Sequence, residues 1–159
     1  MEDFNFSSNV VYENLDTLRQ QYPFLQTGSA GKSVLGKDIP YVRVGRGQKE
    51  VFYSAAIHAN EWITSIILLE FLHEYCNAIL NNSIIGGFSA RRLFESVSIY
   101  IMPIVNPDGV ILIFTDSYIH LYRLVCRMQN EYIFFYFHLF QYNLLIYILI
   151  FLMDYLKIH

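Results

Sequence analysis

Glu50-Val51-Phe52-Tyr53-Ser54-Ala55-Ala56-Ile57-His58-Ala59-Asn60-Glu61-Trp62 is the stretch from which the architecture follows. Its first part, Glu50 to Ile57, is short and largely apolar, the pattern of a strand buried on both faces. From Ala59 to Leu80 the period changes: Trp62, Ile66, Leu69, Leu72 or His73, Cys76 and Leu80 fall along one side of a helix. A strand therefore runs into a helix, with His58 at the join. Downstream, Asn81-Asn82 and Gly86-Gly87 mark a loop, Ser89 opens a short helix through Glu95, and Val97 to Val105 reads as a second buried strand. Asn106-Pro107-Asp108-Gly109 is expected to make a tight turn at the carboxyl end of that strand. Strand, helix and strand in this order predict an α/β fold, with a mixed or parallel sheet covered by helices.

Upstream, Val11, Leu15 and Leu18 have helical spacing within Val10 to Tyr22, and Pro23 ends the helix. Two β-leaning stretches follow, around Phe24-Leu25 and from Ile39 to Val44, separated by Gly28, Gly31 and Gly36; they predict a hairpin with a glycine-rich bend. Ser29-Ala30-Gly31-Lys32-Ser33 superficially suggests a phosphate loop. The earlier glycine is not at the required spacing, and no strand precedes nor helix follows it, so a nucleotide site is not expected.

Composition narrows the function. The chain of 159 residues carries a formal charge of −3, which offers no basic face for nucleic acid. It is 54% hydrophobic and only 16% charged, against about 25% charged in ordinary soluble domains. The bias is uneven along the chain: all 8 glycines, all 4 prolines and every alanine lie at or before Gly109, whereas Phe, Tyr, Leu and Ile fill more than half of the positions after it. Cys76 and Cys126 form no Cys-x-x-Cys pair, so neither a disulfide framework nor a cysteine metal site is expected. Met1-Glu2-Asp3-Phe4-Asn5 has neither the positive nor the apolar region of a secretory signal, which makes a cytoplasmic location the expectation.

In an open α/β sheet, ligands bind outside the carboxyl ends of the strands. Both informative segments, His58 to Trp62 and Asn106 to Gly109, are expected at such ends and on one rim. His58 and Glu61 are three residues apart, which in a loop or first helical turn brings an imidazole and a carboxylate within reach of one metal ion. Such a pair suits zinc, and with a third protein ligand a fourth position stays open for water, the arrangement of a catalytic site. The same two residues also occur as a strand-end histidine bonded to backbone and a first-turn carboxylate favoured by the helix dipole.

His58-Ala59-Asn60-Glu61-Trp62 after one strand and Asn106-Pro107-Asp108-Gly109 after the next resemble the zinc carboxypeptidase family, the carboxypeptidase A-like metallopeptidases. Together with Tyr22-Pro23-Phe24-Leu25 and Gly31-Lys32-Ser33-Val34-Leu35-Gly36-Lys37-Asp38-Ile39, they look most like the bacterial γ-D-glutamyl-L-diamino acid endopeptidases, which cut peptidoglycan stem peptides. The resemblance covers about residues 10–112. It implies a metallopeptidase with Zn2+ held by His58 and Glu61 and a peptide or peptidoglycan stem peptide as substrate. It also implies a third ligand, a histidine, a good hundred residues later, and a late glutamate as general base. His120, His138 and His159 are the later histidines, and none has surroundings like the family's third-ligand segment; Glu131 is the last glutamate and its neighbours do not match either. Arg123 falls roughly where the family places a substrate-binding arginine.

The expected organisation is thus a truncated carboxypeptidase-like domain over 1–112, with an incomplete site, and an apolar aromatic tail over 113–159. Residues 132–152 are long and apolar enough to form a transmembrane helix, with Arg123 and Arg127 placing its amino-terminal side in the cytoplasm. That tail admits two origins: an A/T-rich gene read out of frame, which would deplete Gly, Ala and Pro, or a membrane anchor. On the second, the chain is a non-catalytic membrane-anchored or binding module built on the same sheet.

Overall fold

Val11, Leu15 and Leu18 line the buried stripe of α1 (Ser8–Gln21), as their spacing requires. The computed structural model describes residues 6–115. Tyr22 closes the helix through its N–H to Leu18 O at 2.8 Å. Pro23 then turns the chain, and Phe24 and Leu25 precede the strand that was expected to begin with them. Phe24 instead meets Phe94 edge-on at 5.5 Å, and Leu25 is buried.

The hairpin is β1 (Gln26–Lys32) and β2 (Asp38–Val44), antiparallel with Gly28 opposite Tyr41. Its bend is tighter than the glycine pattern predicted: Gly36 sits in it with φ of +82°, whereas Gly28 and Gly31 lie within β1. Gly28 is there for a packing reason. A Cβ at that position would stand 2.6 Å from the Tyr41 ring, so the aromatic side chain occupies the space a larger residue would need.

Next come β3 (Lys49–Ser54), a single 3-10 turn (Ala59–Glu61) and α2 (Ile63–Leu80). A two-residue hairpin follows, β4 (Ile84–Ile85) against β5 (Phe88–Ser89), across Gly86 and Gly87, both at positive φ. Ser89 caps α3 (Ala90–Ser96) by accepting from the Arg92 N–H. The chain then enters β6 (Val97–Met102) and α4 (Pro107–Thr115). Among the described residues the main sheet has the order β1-β2-β6-β3, with β2 antiparallel and β3 parallel to β6. The sheet is mixed, and its parallel pair is the strand-helix-strand unit read from the sequence.

Val42, Val44, Val51, Val97, Ile99 and Ile101 on the sheet form one core cluster with Leu68, Phe71, Leu72, Tyr75 and Cys76 of α2. By length and composition α2 could cross a membrane, yet 56% of it is buried inside the protein, the position of a core helix. Residues 132–152 lie outside the described residues. β3 departs from expectation: Val51 is buried, but Phe52 is 57% exposed. As the outer strand of the described sheet it is covered on one face, a distinction that an apolar run alone does not encode.

The other sheet face carries a polar network. Arg43 lies over the Tyr100 ring at 5.6 Å and donates from Nη2 to Ser98 Oγ at 2.9 Å, and Ser98 Oγ donates to Gly47 O at 2.7 Å. Gly47 passes so close to the Ser96–Val97 backbone that a Cβ would overlap it. Ser98 is fully buried, so Ser98→Ala removes an acceptor from the part-buried Arg43 and the donor to the buried Gly47 carbonyl. Chemical denaturation of this variant is expected to show a loss of about 1–3 kcal/mol; an unchanged midpoint would show that the network contributes nothing.

Cys76 is buried on α2 among apolar neighbours, and burial pushes its thiol up to about 12 from its ordinary value of 9. The folded protein therefore holds a proton that the unfolded chain releases first. Stability from this group is complete below about pH 9 and is lost as pH rises toward 12, in the same direction as the buried Tyr53 phenol, also raised to about 12. Native Cys76 should resist iodoacetamide at pH 8 until denaturant is added, as read by peptide mass mapping.

Candidate metal centre

The hydrogen-bond ladder between the parallel strands does not stop where β3 and β6 end. Ala55 N–H donates to Met102 O at 3.0 Å, Val105 N–H to Ala55 O at 3.0 Å, and Asn106 N–H to Ala56 O at 3.0 Å. Both exit loops are thereby held side by side, and the segments expected on one rim do share it. The 3-10 turn packs against α4.

Ala56 adopts φ of +48°, in the left-handed region that costs a residue with a Cβ about 1 kcal/mol or more. Thr64 holds it there. The Thr64 hydroxyl accepts from Ala56 N–H at 2.9 Å and donates to Glu61 O at 2.7 Å, tying the loop entrance to the end of the turn. Between these anchors, Glu61 N–H donates to His58 O at 2.9 Å. Trp62, half-buried, lies against Phe6 with ring centroids 5.2 Å apart.

His58 and Glu61 thus bracket one short turn, and both are exposed at the rim. A neutral imidazole nitrogen and a carboxylate are a donor set that zinc accepts, and no ion pair engages either side chain among the described residues. These two residues fit the metal as two of its ligands. Among the described residues no third His, Cys, Asp or Glu joins them. The remaining described histidine, His73, is on α2, 3.3 Å from the Tyr22 hydroxyl. His120, Arg123, Glu131, His138 and His159 lie outside the described residues.

Asn106 to Gly109 is not an isolated tight turn but the start of α4. Asn106 Oδ1 accepts from Gly109 N–H at 2.9 Å, Pro107 takes the first helical position, and Asp108 places a carboxylate in the first turn. Asp108 also reaches the hairpin bend, accepting from Ser33 Oγ and from Leu35 N–H, each at 2.9 Å. Sequence reasoning missed Thr64 and the Asp108 bridge. Asn-Pro-Asp carried a helix-start signature that could have exposed the start of α4, whereas the bridge joins residues 75 positions apart.

The zinc carboxypeptidase model matches residues 11–131, most of the chain and beyond the 112 at which the resemblance was expected to end. The chain belongs to the zinc carboxypeptidase family. It is 39% identical over 109 residues to γ-D-glutamyl-L-diamino acid endopeptidase 1 of Lysinibacillus sphaericus, covering 69% of this chain and 28% of that protein. It is 30% identical over 107 residues to carboxypeptidase B of Astacus astacus, covering 65% of this chain and 33% of that protein. The fold agrees with that of bovine thrombin-activatable fibrinolysis inhibitor, solved with tick carboxypeptidase inhibitor, at a TM-score of 0.59 and 23% identity over 71% of this chain and 35% of that one. It also agrees with carboxypeptidase A from Helicoverpa armigera, at a TM-score of 0.57 and 23% identity over 70% of this chain and 27% of that one. The chain spans about a third or less of the length of these family members.

Thr64 is the tie on which the turn depends. Thr64→Val keeps the shape but leaves Ala56 N–H and Glu61 O without this partner, so thermal unfolding is expected to show a loss of about 1–3 kcal/mol. A variant as stable as the parent would mean that the positive φ at Ala56 is held by other contacts.

Proposed function

We propose that this chain is the metal-binding part of a zinc-dependent peptidase, with His58 and Glu61 as two of the zinc ligands. The observation that carries the reading is their placement on one braced turn at the carboxyl ends of a parallel strand pair, in a member of the zinc carboxypeptidase family. When bound, zinc supplies Lewis-acid polarisation of a scissile carbonyl and activation of a water. His58 contributes a neutral nitrogen donor and Glu61 a charged oxygen donor that offsets part of the ion's charge. None of His120, His138 and His159 has surroundings like the family's third-ligand segment, so the reading is of two ligands in an incomplete site, and Arg123 is the candidate partner for a substrate carboxylate. The division of the chain into a carboxypeptidase-like part over 1–112 and an apolar part over 113–159 belongs to the same reading.

For the substrate we infer a peptide, and more narrowly a peptidoglycan stem peptide. The support is the similarity to an endopeptidase named for γ-D-glutamyl-L-diamino acid bonds, which is higher than that to the carboxypeptidase B of Astacus astacus.

Equilibrium dialysis of the full chain in detergent, followed by elemental analysis, tests the metal assignment. Weak binding is expected, as two ligands without a third allow; about one tightly held zinc per chain would mean that a third ligand is supplied. His58→Ala and Glu61→Gln should each weaken binding by more than the roughly 10–100-fold that changes outside a ligand shell cost. Zinc content unchanged in both variants would overturn the assignment and favour a non-catalytic module. If the metal is held, cleavage of a γ-D-glutamyl diamino acid peptide in preference to an all-L peptide would support the narrower substrate.

A further inference from the structure

We propose that Gly109 is a positioning residue for the His58–Glu61 pair, a role that rests on the zinc reading of that pair. Gly109 lies in the first turn of α4, at negative φ, so its backbone does not call for glycine. What calls for it is space. A Cβ at Gly109 would stand 2.8 Å from the Ala59 Cβ and 2.7 Å from Asn106 Nδ2, closer than real side chains approach.

Neither neighbour gives way cheaply. The Ala59 methyl moves only with its backbone, which is the middle of the segment joining His58 to Glu61. The Asn106 amide is held because its Oδ1 caps Gly109 N–H at 2.9 Å, and its own backbone N–H is bonded to Ala56 O at 3.0 Å. α4 cannot withdraw freely either. Asp108, the preceding residue, is held by the Ser33 hydroxyl and the Leu35 N–H at 2.9 Å each. On the far side, Thr64 fixes the turn through Ala56 N–H and Glu61 O. Gly109 is therefore the floor on which Ala59 seats, and the height of that floor sets where His58 and Glu61 stand on the rim.

Co2+ alone, titrated into the full chain and followed by visible absorption, tests this in the parent, Gly109→Ala, Ala59→Gly, the double variant and His58→Ala. Gly109→Ala is expected to weaken Co2+ binding about tenfold or more and to alter its ligand-field spectrum, the scale of changes outside a ligand shell. Adding Ala59→Gly relieves the contact with Ala59 but not the one with Asn106 Nδ2, and should recover part of the loss. Binding unaffected by Gly109→Ala, or a loss of which the second substitution recovers nothing, overturns the proposal.

The metal reading fails separately, if His58→Ala leaves Co2+ binding unchanged. Backbone amide resonances of residues 58–61 then decide the positioning role: displaced in Gly109→Ala and moved back toward the parent in the double variant supports it, and unmoved in Gly109→Ala overturns it. Should Gly109→Ala not fold, Ala59→Gly alone removes the seated methyl, and weaker Co2+ binding with intact core resonances is the expected result. Parent-like binding would overturn the proposal.

Discussion

The pairing of β3 with β6, and its continuation past the strand ends, is the constraint on which the described structure turns. Parallel strands need a crossover, and α2 supplies it while burying Leu72 and Cys76 against the sheet. Had the ladder ended at Ser54 and Met102, the two exit loops would diverge with the strand twist. The bonds from Ala55 to Met102, Val105 to Ala55 and Asn106 to Ala56 keep them together for another turn of chain. Everything at the rim follows: the 3-10 turn and the first turn of α4 meet because their entrances are hydrogen-bonded to each other.

That arrangement requires strain, and the strain has a visible counterweight. Ala56 takes a left-handed conformation because its carbonyl must face Asn106 N–H while its own N–H faces α2. Thr64, the second residue of α2, is the side chain that meets it, and the same hydroxyl fixes Glu61 O. Two hydrogen bonds from one threonine, each worth about 1 kcal/mol net, are enough to offset a positive φ of this kind. A serine would offer the same oxygen with more rotational freedom, and the β-branched side chain is the stiffer choice inside a helix.

Much of this was legible in the sequence where a single local rule decides. The α1 stripe, the strand-to-helix switch at His58, the Ser89 cap and the β6 strand each depend on residues within a turn or two of one another. What was not legible depends on distant partners. Asn106-Pro107-Asp108-Gly109 satisfies both a turn rule and a helix-start rule, and the contact that brings Asp108 to Ser33 crosses 75 positions of sequence. Gly28 looked like bend material until the Tyr41 ring, its cross-strand neighbour, showed why a side chain has no room there. β3 looked buried on both faces because an apolar run does not say whether a strand is central or outermost. Of the candidate site, the His58–Glu61 pair was legible because it is local, and its bracing by Thr64 and Gly109 was not because it is tertiary.

The exposure of His58 and Glu61 is consistent with their assignment. Ionisable groups aimed at solvent on a floppy loop would gain little from being near each other, because ordering the loop on metal binding would cost about 1–2 kcal/mol for each residue fixed. Here the ordering is done in the fold. The entrance is held by two backbone bonds, the exit by Thr64, and the underside by the seat of Ala59 on Gly109. The side chains therefore remain accessible to an ion from solvent while their backbone is already spent on structure. Accessibility and preorganisation usually oppose each other, and a three-residue turn clamped at both ends and from below reconciles them.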